Sequence, residues 1–258
     1  MVKLKTEEEI AILKENAILV SKTLAEVGKK VAPGVTTMEL DRLAETFIRD
    51  HGAVPGFLGY GGFPYTLCLS VNDVVVHGFP SDYRLVEGDI VSVDCGTIFK
   101  GYYGDSAYTF PVGQVSEETS SLLRVTKESL ERGIEKAVAG NRIGDVGNAI
   151  QSYVESFGYT VVREMVGHGI GRNMHESPEV PNYGRAGQGK KLLAGMTLCI
   201  EPMINLGARN IYLNDNGWAI HTADGKYSAH FEKTVVILKD RTEVLTDYDY
   251  IEGKKSYN

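Results

Sequence analysis

The sequence predicts an α+β protein made of two similar half-domains related by a pseudo-twofold axis. Three observations carry that expectation. Two helical segments precede a set of short strands, and the same order then returns. Gly34 and Gly52 enclose one helix and Gly140 and Gly158 another, 18 residues apart in both cases. Val86-Glu-Gly-Asp-Ile-Val-Ser-Val-Asp94 also parallels Leu193-Ala-Gly-Met-Thr-Leu-Cys-Ile-Glu201, each an apolar residue, any residue, a glycine, then a strand ending in an acid. The glycine markers repeat after 106 residues and the acids after 107. Two similar halves that stack bring their corresponding strands into one core. Asp94 and Glu201 would then converge from opposite sides.

The elements follow in order. Thr6 and Glu9 form a capping box, after which Ile10, Leu13, Ala17, Val20, Leu24, Val27 and Val31 recur at helical spacing. Pro33-Gly34 is the stop signal. Thr36 to His51 supplies a second amphipathic helix through Leu40, Leu43, Ala44, Phe47 and Ile48, closed by Gly52. Short strands and glycine-rich turns follow to about Pro111. A third helix is expected from about Glu117 to Ala139, a break at Gly140-Asn141, and a fourth helix to Phe157 before strands resume. Residues 111–120 are polar but short, and no linker rich in proline, serine or glycine divides the chain. The expectation is one catalytic domain over 1–258, with half-domains of about 1–111 and 112–258.

Composition sets outer limits. Hydrophobic residues make up 43% and charged residues 24%, ordinary for a soluble protein. A net charge of −7, with no lysine or arginine cluster, argues against nucleic acid or an anionic membrane as the main partner. The opening stretch turns acidic at Glu7-Glu8-Glu9, where a secretory signal needs an apolar core, and no run approaches a membrane span. Cys68, Cys95 and Cys199 are odd in number, widely spaced and set in apolar stretches. They read as buried thiols in a reducing cytoplasm, against disulfides or structural zinc.

The chemistry lies in acids placed where a core strand should be apolar. Asp94, Glu201 and Glu232 each interrupt or end a β-branched, hydrophobic run, with no arginine partner beside them. Buried carboxylates are normally paired or metal-bound, because an unpaired one costs several kcal/mol. Asp105 follows Asp94 by eleven residues, and Gly96 and Lys100-Gly101 suggest a turn that lets the two acids face each other across a hairpin. An aspartate after glycine is otherwise an ordinary turn residue. His168 lies in Gly167-His-Gly-Ile-Gly171, where glycines allow close backbone approach. That stretch imitates half a dinucleotide fingerprint, but the helix that should follow runs instead into Pro178. Four carboxylates and one imidazole suit two divalent ions, whose charge cancels −4. Cobalt, manganese or iron fit this donor set, with zinc and nickel as lesser candidates. His221 and His230 have no motif around them and read as surface or core-satisfied histidines.

Further segments carry a resemblance. Asn72-Asp-Val-Val-Val-His77-Gly-Phe-Pro80, Asp94, Gly104-Asp105, Gly167-His-Gly-Ile-Gly-Arg-Asn-Met-His175-Glu176, Cys199-Ile-Glu-Pro-Met203 and Phe231-Glu-Lys233 together resemble type I methionine aminopeptidases, in the short bacterial form. The resemblance covers nearly the whole chain. It implies the pita-bread fold, a curved, mainly antiparallel sheet covered by helices, and the excision of the initiator methionine from nascent proteins and peptides. A small second residue would be preferred, and a metal-bridging hydroxide would attack the scissile carbonyl. Asp94, Asp105, His168, Glu201 and Glu232 match the family's ligands, with Asp105 and Glu232 bridging. His175 matches the donor to the carbonyl oxygen, His77 the histidine near the scissile nitrogen, and Glu201 would accept the water's proton. The methionine pocket falls on Phe57, Tyr60, Phe63, Cys68, Met174 and Trp218. Two departures occur here: Phe57 replaces a small cysteine, and Met174 replaces phenylalanine. A cytoplasmic monomer with a transient ribosome contact is expected. Proline-specific aminopeptidases and dipeptidases, which share the ligand set, and a non-catalytic binding protein on the same scaffold are the rival readings.

Overall fold

The computed structural model describes residues 2–256. Helix α1 (Glu7–Gly28) begins as expected: the Thr6 hydroxyl accepts from the Glu9 amide, and the Glu9 carboxylate accepts from the Thr6 amide. It stops short of Pro33-Gly34, so Val31 lies beyond it. Gly28, its last residue, passes so close to the sheet that a Cβ would sit 2.4 Å from the Phe110 ring. A glycine permits that approach and weakens the helix where it occurs. Helix α2 (Thr37–Asp50) carries a second capping box on Thr36 and Glu39.

Five strands follow: β1 (Val54–Pro55), β2 (Leu67–Val71), β3 (Val74–Val76), β4 (Ile90–Phe99) and β5 (Tyr102–Pro111). Strands β4 and β5 form a hairpin whose turn residues, Lys100 and Gly101, both take positive φ, the backbone a two-residue primed turn requires. Strand β4 pairs β5 on one edge and both β1 and β2 on the other, all antiparallel.

Helices α3 (Glu117–Lys136) and α4 (Ile143–Glu155) open the second half. α3 ends three residues before Ala139, because Ala137 leaves helical geometry at ψ 54°. Ten strands follow: β6 (Thr160–Val161), β7 (Gly167–Gly169), β8 (Glu176–Val180), β9 (Thr197–Ile200), β10 (Met203–Asn205), β11 (Ile211–Leu213), β12 (Ile220–Thr222), β13 (Ser228–His230), β14 (Lys233–Ile237) and β15 (Thr242–Val244). Their main sheet runs β15-β14-β9-β7-β8. Strands β9 and β14 pair antiparallel, as β4 and β5 do, but β10 to β13 are inserted between them.

Each half buries its own apolar layer. Val20, Leu24, Leu40 and Ile48 of the first two helices pack on Val91 and Val93. Leu122, Val125 and Ile150 of the last two pack on Leu198, Ile200 and Val235. The halves meet where β5 lies beside β14. There Ala107 bridges Glu232, the Ser106 hydroxyl donates to the Glu232 carbonyl at 2.6 Å, and the Thr234 hydroxyl donates to the Asp105 carbonyl at 2.8 Å. The Tyr248 hydroxyl lies 2.7 Å from both the Ala107 and Glu232 carbonyls. Among the described residues, no helix is long and apolar enough to cross a membrane.

Thr36 caps α2 from a nearly buried position, so Thr36→Ala should lower unfolding stability by about 1 kcal/mol. Urea denaturation should show a lower midpoint with an unchanged slope.

Candidate metal centre

The first two acids come from the hairpin. Asp94 is opposite Ala107 and Asp105 is opposite Gly96, so the acids are not directly paired as the sequence suggested. An offset of two residues keeps both on one face, as diagonal neighbours. Gly96 belongs to the strand, and the turn is Lys100-Gly101 alone. Glu201 and Glu232 sit just outside strands, one after β9 and the other before β14. Because Ala107 faces Asp94 in one ladder and bridges Glu232 in the other, the seam between the halves brings all three into one row.

His168 on β7 faces this group. Its Nδ1 lies 2.9 Å from the Gly169 carbonyl oxygen, an acceptor, so Nδ1 carries the proton and Nε2 presents a lone pair. Nε2 lies 3.7 Å from Asp105 Oδ2 and 3.6 Å from Glu201 Oε1. Such spacings leave room for a cation between the groups. A carbonyl acceptor on the far nitrogen is the usual support of a metal-ligating histidine.

Burial is the main cause of every titration shift here. It pushes Asp94 up to about 7, and it drives Asp105, Glu201 and Glu232 well above the carboxylate range, each reinforced by neighbouring carboxylates. Burial holds His168 down to about 4. Among the described residues, the only basic side chains within ion-pair distance of the four acids are His168 and His230, and both are held neutral. Asp94 Oδ1, Asp105 Oδ1 and Glu232 Oε1 are buried without a hydrogen-bond partner. Orphaned acceptors on like-charged neighbours fit divalent cations, which would satisfy the oxygens and cancel the charge together.

A purely geometric grouping draws a different boundary: ligand atoms of Asp105, His168, Cys199 and Glu232 lie within 4.8 Å of one another. Cys199 is buried 3.5 Å from the Thr234 hydroxyl, and burial raises its thiol well above the ordinary value. A thiol that keeps its proton is a poor ligand beside four carboxylates. Glu201, which that grouping omits, touches His168 directly. The oxygen set is the stronger candidate. Cys68, Cys95 and Cys199 are all free and buried, as expected.

The cluster forms one wall of a cavity of about 200 Å³, room for one side chain and less than a drug-sized ligand requires. All six expected pocket residues line it. Phe63 is buried, edge-on to Trp218 at 5.2 Å between centroids, and Cys68 lies opposite Asp94 in the β2–β4 ladder. Phe57 and Met174 meet over Gly96, where a Cβ would sit 2.4 Å from the Phe57 ring and 2.9 Å from the Met174 methyl. Phe57 and Met174 thus share one contact surface in the pocket.

His77 and His175 border the same space. His77 has φ 58°, an uncommon value for a residue with a Cβ. Gly78 beside it leaves no space for one, since a Cβ would lie 2.3 Å from the Leu69 carbonyl. This backbone turns the chain sharply after β3, and burial lowers the imidazole to about 4. His175 lies at the open rim, 4.4 Å from His168 between ring centroids, with its Nδ1 2.8 Å from the Tyr60 hydroxyl.

His230 is the residue that sequence reasoning missed. It is neither exposed nor satisfied: it is buried in the cavity wall, its Nε2 has no partner, and Glu201 Oε2 is 3.7 Å away. Its place two residues before Glu232 was the available signal, because alternation puts both on one side of an extended chain. Val76, Met165, Val166 and Met203 also line the cavity without having been singled out. His221 is satisfied as expected, 2.8 Å from Asp73.

Comparison with known proteins places this geometry. Residues 11–239 match metallopeptidase family M24. The chain is 54% identical over 246 residues to a methionine aminopeptidase of Clostridium perfringens, covering 95% of this chain and 99% of that one. The solved methionine aminopeptidase of Rickettsia prowazekii superposes with a TM-score of 0.95 at 42% identity, over 96% of this chain and all of that one. That of Thermotoga maritima gives 0.94 at 44% identity over the same shares. The pita-bread fold expected from the sequence is the fold observed. Matched in fold and sequence over nearly its whole length, the chain belongs to metallopeptidase family M24, within its methionine aminopeptidases, and is a metal-dependent aminopeptidase.

Proposed function

We propose that this enzyme removes the initiator methionine from nascent polypeptides and peptides, preferring a small second residue. Asp94, Asp105, His168, Glu201 and Glu232 would hold two divalent ions, cobalt, manganese or iron. Because the ligands come from both halves of the chain, residues 1–258 would work as one catalytic domain. The observation that carries the reading is adjacency. A cavity sized for one side chain, walled by Phe57, Phe63, Met174 and Trp218, abuts four carboxylates, three of them with unsatisfied oxygens. Aromatic walls suit a flexible thioether. The metal pair, when bound, would polarise a carbonyl and acidify a water.

The chain's own groups then have separable tasks. Burial keeps the Tyr60 phenol protonated and the His175 imidazole neutral, so Tyr60 can donate to His175 Nδ1 and leave a proton on Nε2. That N–H is the donor for the developing oxyanion. His77, also neutral, would orient the scissile amide or assist the leaving nitrogen. Glu201, ionised once the cations offset its neighbours' charge, would take up the proton of the attacking water. A cytoplasmic monomer that meets its substrates near the ribosome completes the proposal.

The test is metal-dependent release of free methionine from a Met-Ala peptide, compared with an Ala-Pro peptide that should remain intact. Asp94→Asn should lose both bound metal, measured by elemental analysis, and turnover; full activity would remove Asp94 from the ligand set. His175→Ala should keep its metal while kcat falls ~10²–10³-fold, the usual cost of an oxyanion donor.

Proton bookkeeping gives a further check on the metal-free protein. The raised carboxyls bind more protons folded than unfolded, so their contribution to stability falls as pH climbs from about 4 through the Asp94 value of about 7. The depressed histidines oppose this, but only below their unfolded value of about 6.5. The melting temperature of metal-free enzyme should therefore drop as pH is raised from about 6.5 to 8. Saturating Mn²⁺ should abolish the drop.

A further inference from the structure

Lys5 and Glu176 form an ion pair between the segment before α1 and the residue that follows His175. Nζ lies 2.8 Å from Glu176 Oε2, with the two side chains only 5% and 6% exposed. The chain spends considerable desolvation to keep this pair dry. Its surroundings fix it on both sides. The Lys5 amide donates to the Gly195 carbonyl at 2.7 Å, which anchors the segment to the second half. Glu176 Oε1 accepts from the Asn173 amide at 3.3 Å. Gly171 lies under the lysine, where a Cβ would come within 2.4 Å of Lys5 Cε.

The pair therefore closes a short irregular loop, 171–175, at both ends. That loop presents buried Met174 to the cavity and His175 to its rim, and it contains no helix or strand of its own. Outside, Glu9 holds the same loop more loosely: its Oε1 is 3.8 Å from Arg172 and accepts from the Tyr102 hydroxyl at 2.7 Å. The loop is also tied at its start, where the Gly171 carbonyl accepts from the Tyr103 amide at 2.8 Å, and at Met174, which packs with Phe57 over Gly96; the ion pair is the side-chain tie next to His175 itself. Tyr60 on His175 Nδ1 orients the ring but cannot fix the backbone that carries it.

We propose that the Lys5–Glu176 pair is a positioning device for His175, which makes the segment before the first helix part of the catalytic apparatus. The inference rests on the oxyanion role given to His175 above. Removing one partner leaves the other buried and uncompensated, so the loop relaxes toward solvent and carries the imidazole with it. A displacement of about 1 Å is enough to cost up to ~10²-fold in rate. Asp94, Asp105, Glu201 and Glu232 lie on strands or strand ends away from the loop, and His168 is held by the β7–β9 ladder, so bound metal is retained.

The test compares Lys5→Met in the wild-type and His175→Ala backgrounds. In the wild type, kcat should fall ~10- to 100-fold, with KM for the peptide and bound metal per chain unchanged, and Lys5→Arg should restore most of the loss. In His175→Ala, adding Lys5→Met should change kcat less than twofold, because the group it positions is gone. Equal losses in both backgrounds, or no loss in either, would overturn the proposal. Glu176→Gln, which retains an oxygen for the Asn173 amide, replaces Lys5→Met if that variant does not fold. Hydrogen exchange of residues 171–176 separates this idea from the function itself. Should the wild type release no methionine, the proposed function fails, and faster exchange there in Lys5→Met would still support the pair as the loop's clamp. Unchanged exchange would sink it.

Discussion

Four carboxylates share one largely buried space, and almost everything else in the molecule accommodates their repulsion. Isolated burial of such groups is unfavourable by several kcal/mol each, yet Asp94, Asp105, Glu201 and Glu232 adjoin one another with only neutral histidines for company. A flexible scaffold would relieve this by turning the acids outward. This one cannot, because Asp94 and Asp105 are registered in a hairpin of two ten-residue strands, and Glu232 is bridged to the same hairpin through Ala107. Rigidity of the β4–β5 and β9–β14 ladders thus holds the acids together, so that protons or divalent cations must offset their charge.

The duplicated architecture explains how such a site is assembled, and its broken symmetry explains how it acquires a cavity. Each half supplies a strand pair with an acid on either arm. In the first half the arms are joined by a two-residue turn; in the second, strands β10 to β13 intervene. That insertion brings Met203, Trp218 and His230 to the cavity wall. Symmetry therefore builds the charged wall, and the insertion adds Met203 and Trp218 to an apolar wall otherwise formed by Phe57, Phe63 and Met174.

The apolar wall has its own internal packing. Phe57 and Met174 come from distant parts of the chain, and both rest on Gly96, in the strand that carries Asp94. A rigid ring on one side thus packs beside a pliable thioether on the other. The loop bearing Met174 also bears His175, so the packing of the pocket and the placement of a proposed catalytic group are coupled through a few residues held by Lys5 and Glu176.

Much of this was legible in one dimension. Capping boxes at Thr6 and Thr36, and apolar stripes such as Leu13-Ala17-Val20-Leu24, reveal helices because local hydrogen bonding and a 3.6-residue period are written in consecutive residues. Misplaced acids in hydrophobic runs reveal the charged centre for a similarly local reason: burial is implied by the neighbours, and charge by the residue itself. Sequence alone thus determined the helices, the duplication and the identity of the buried acids. Only the tertiary structure decided that α1 stops at Gly28, that Asp94 and Asp105 are diagonal, that His230 faces Glu201, and that Lys5 reaches Glu176. Each of those depends on register or on contact between residues far apart in the chain, and neither leaves a mark on the residues beside it.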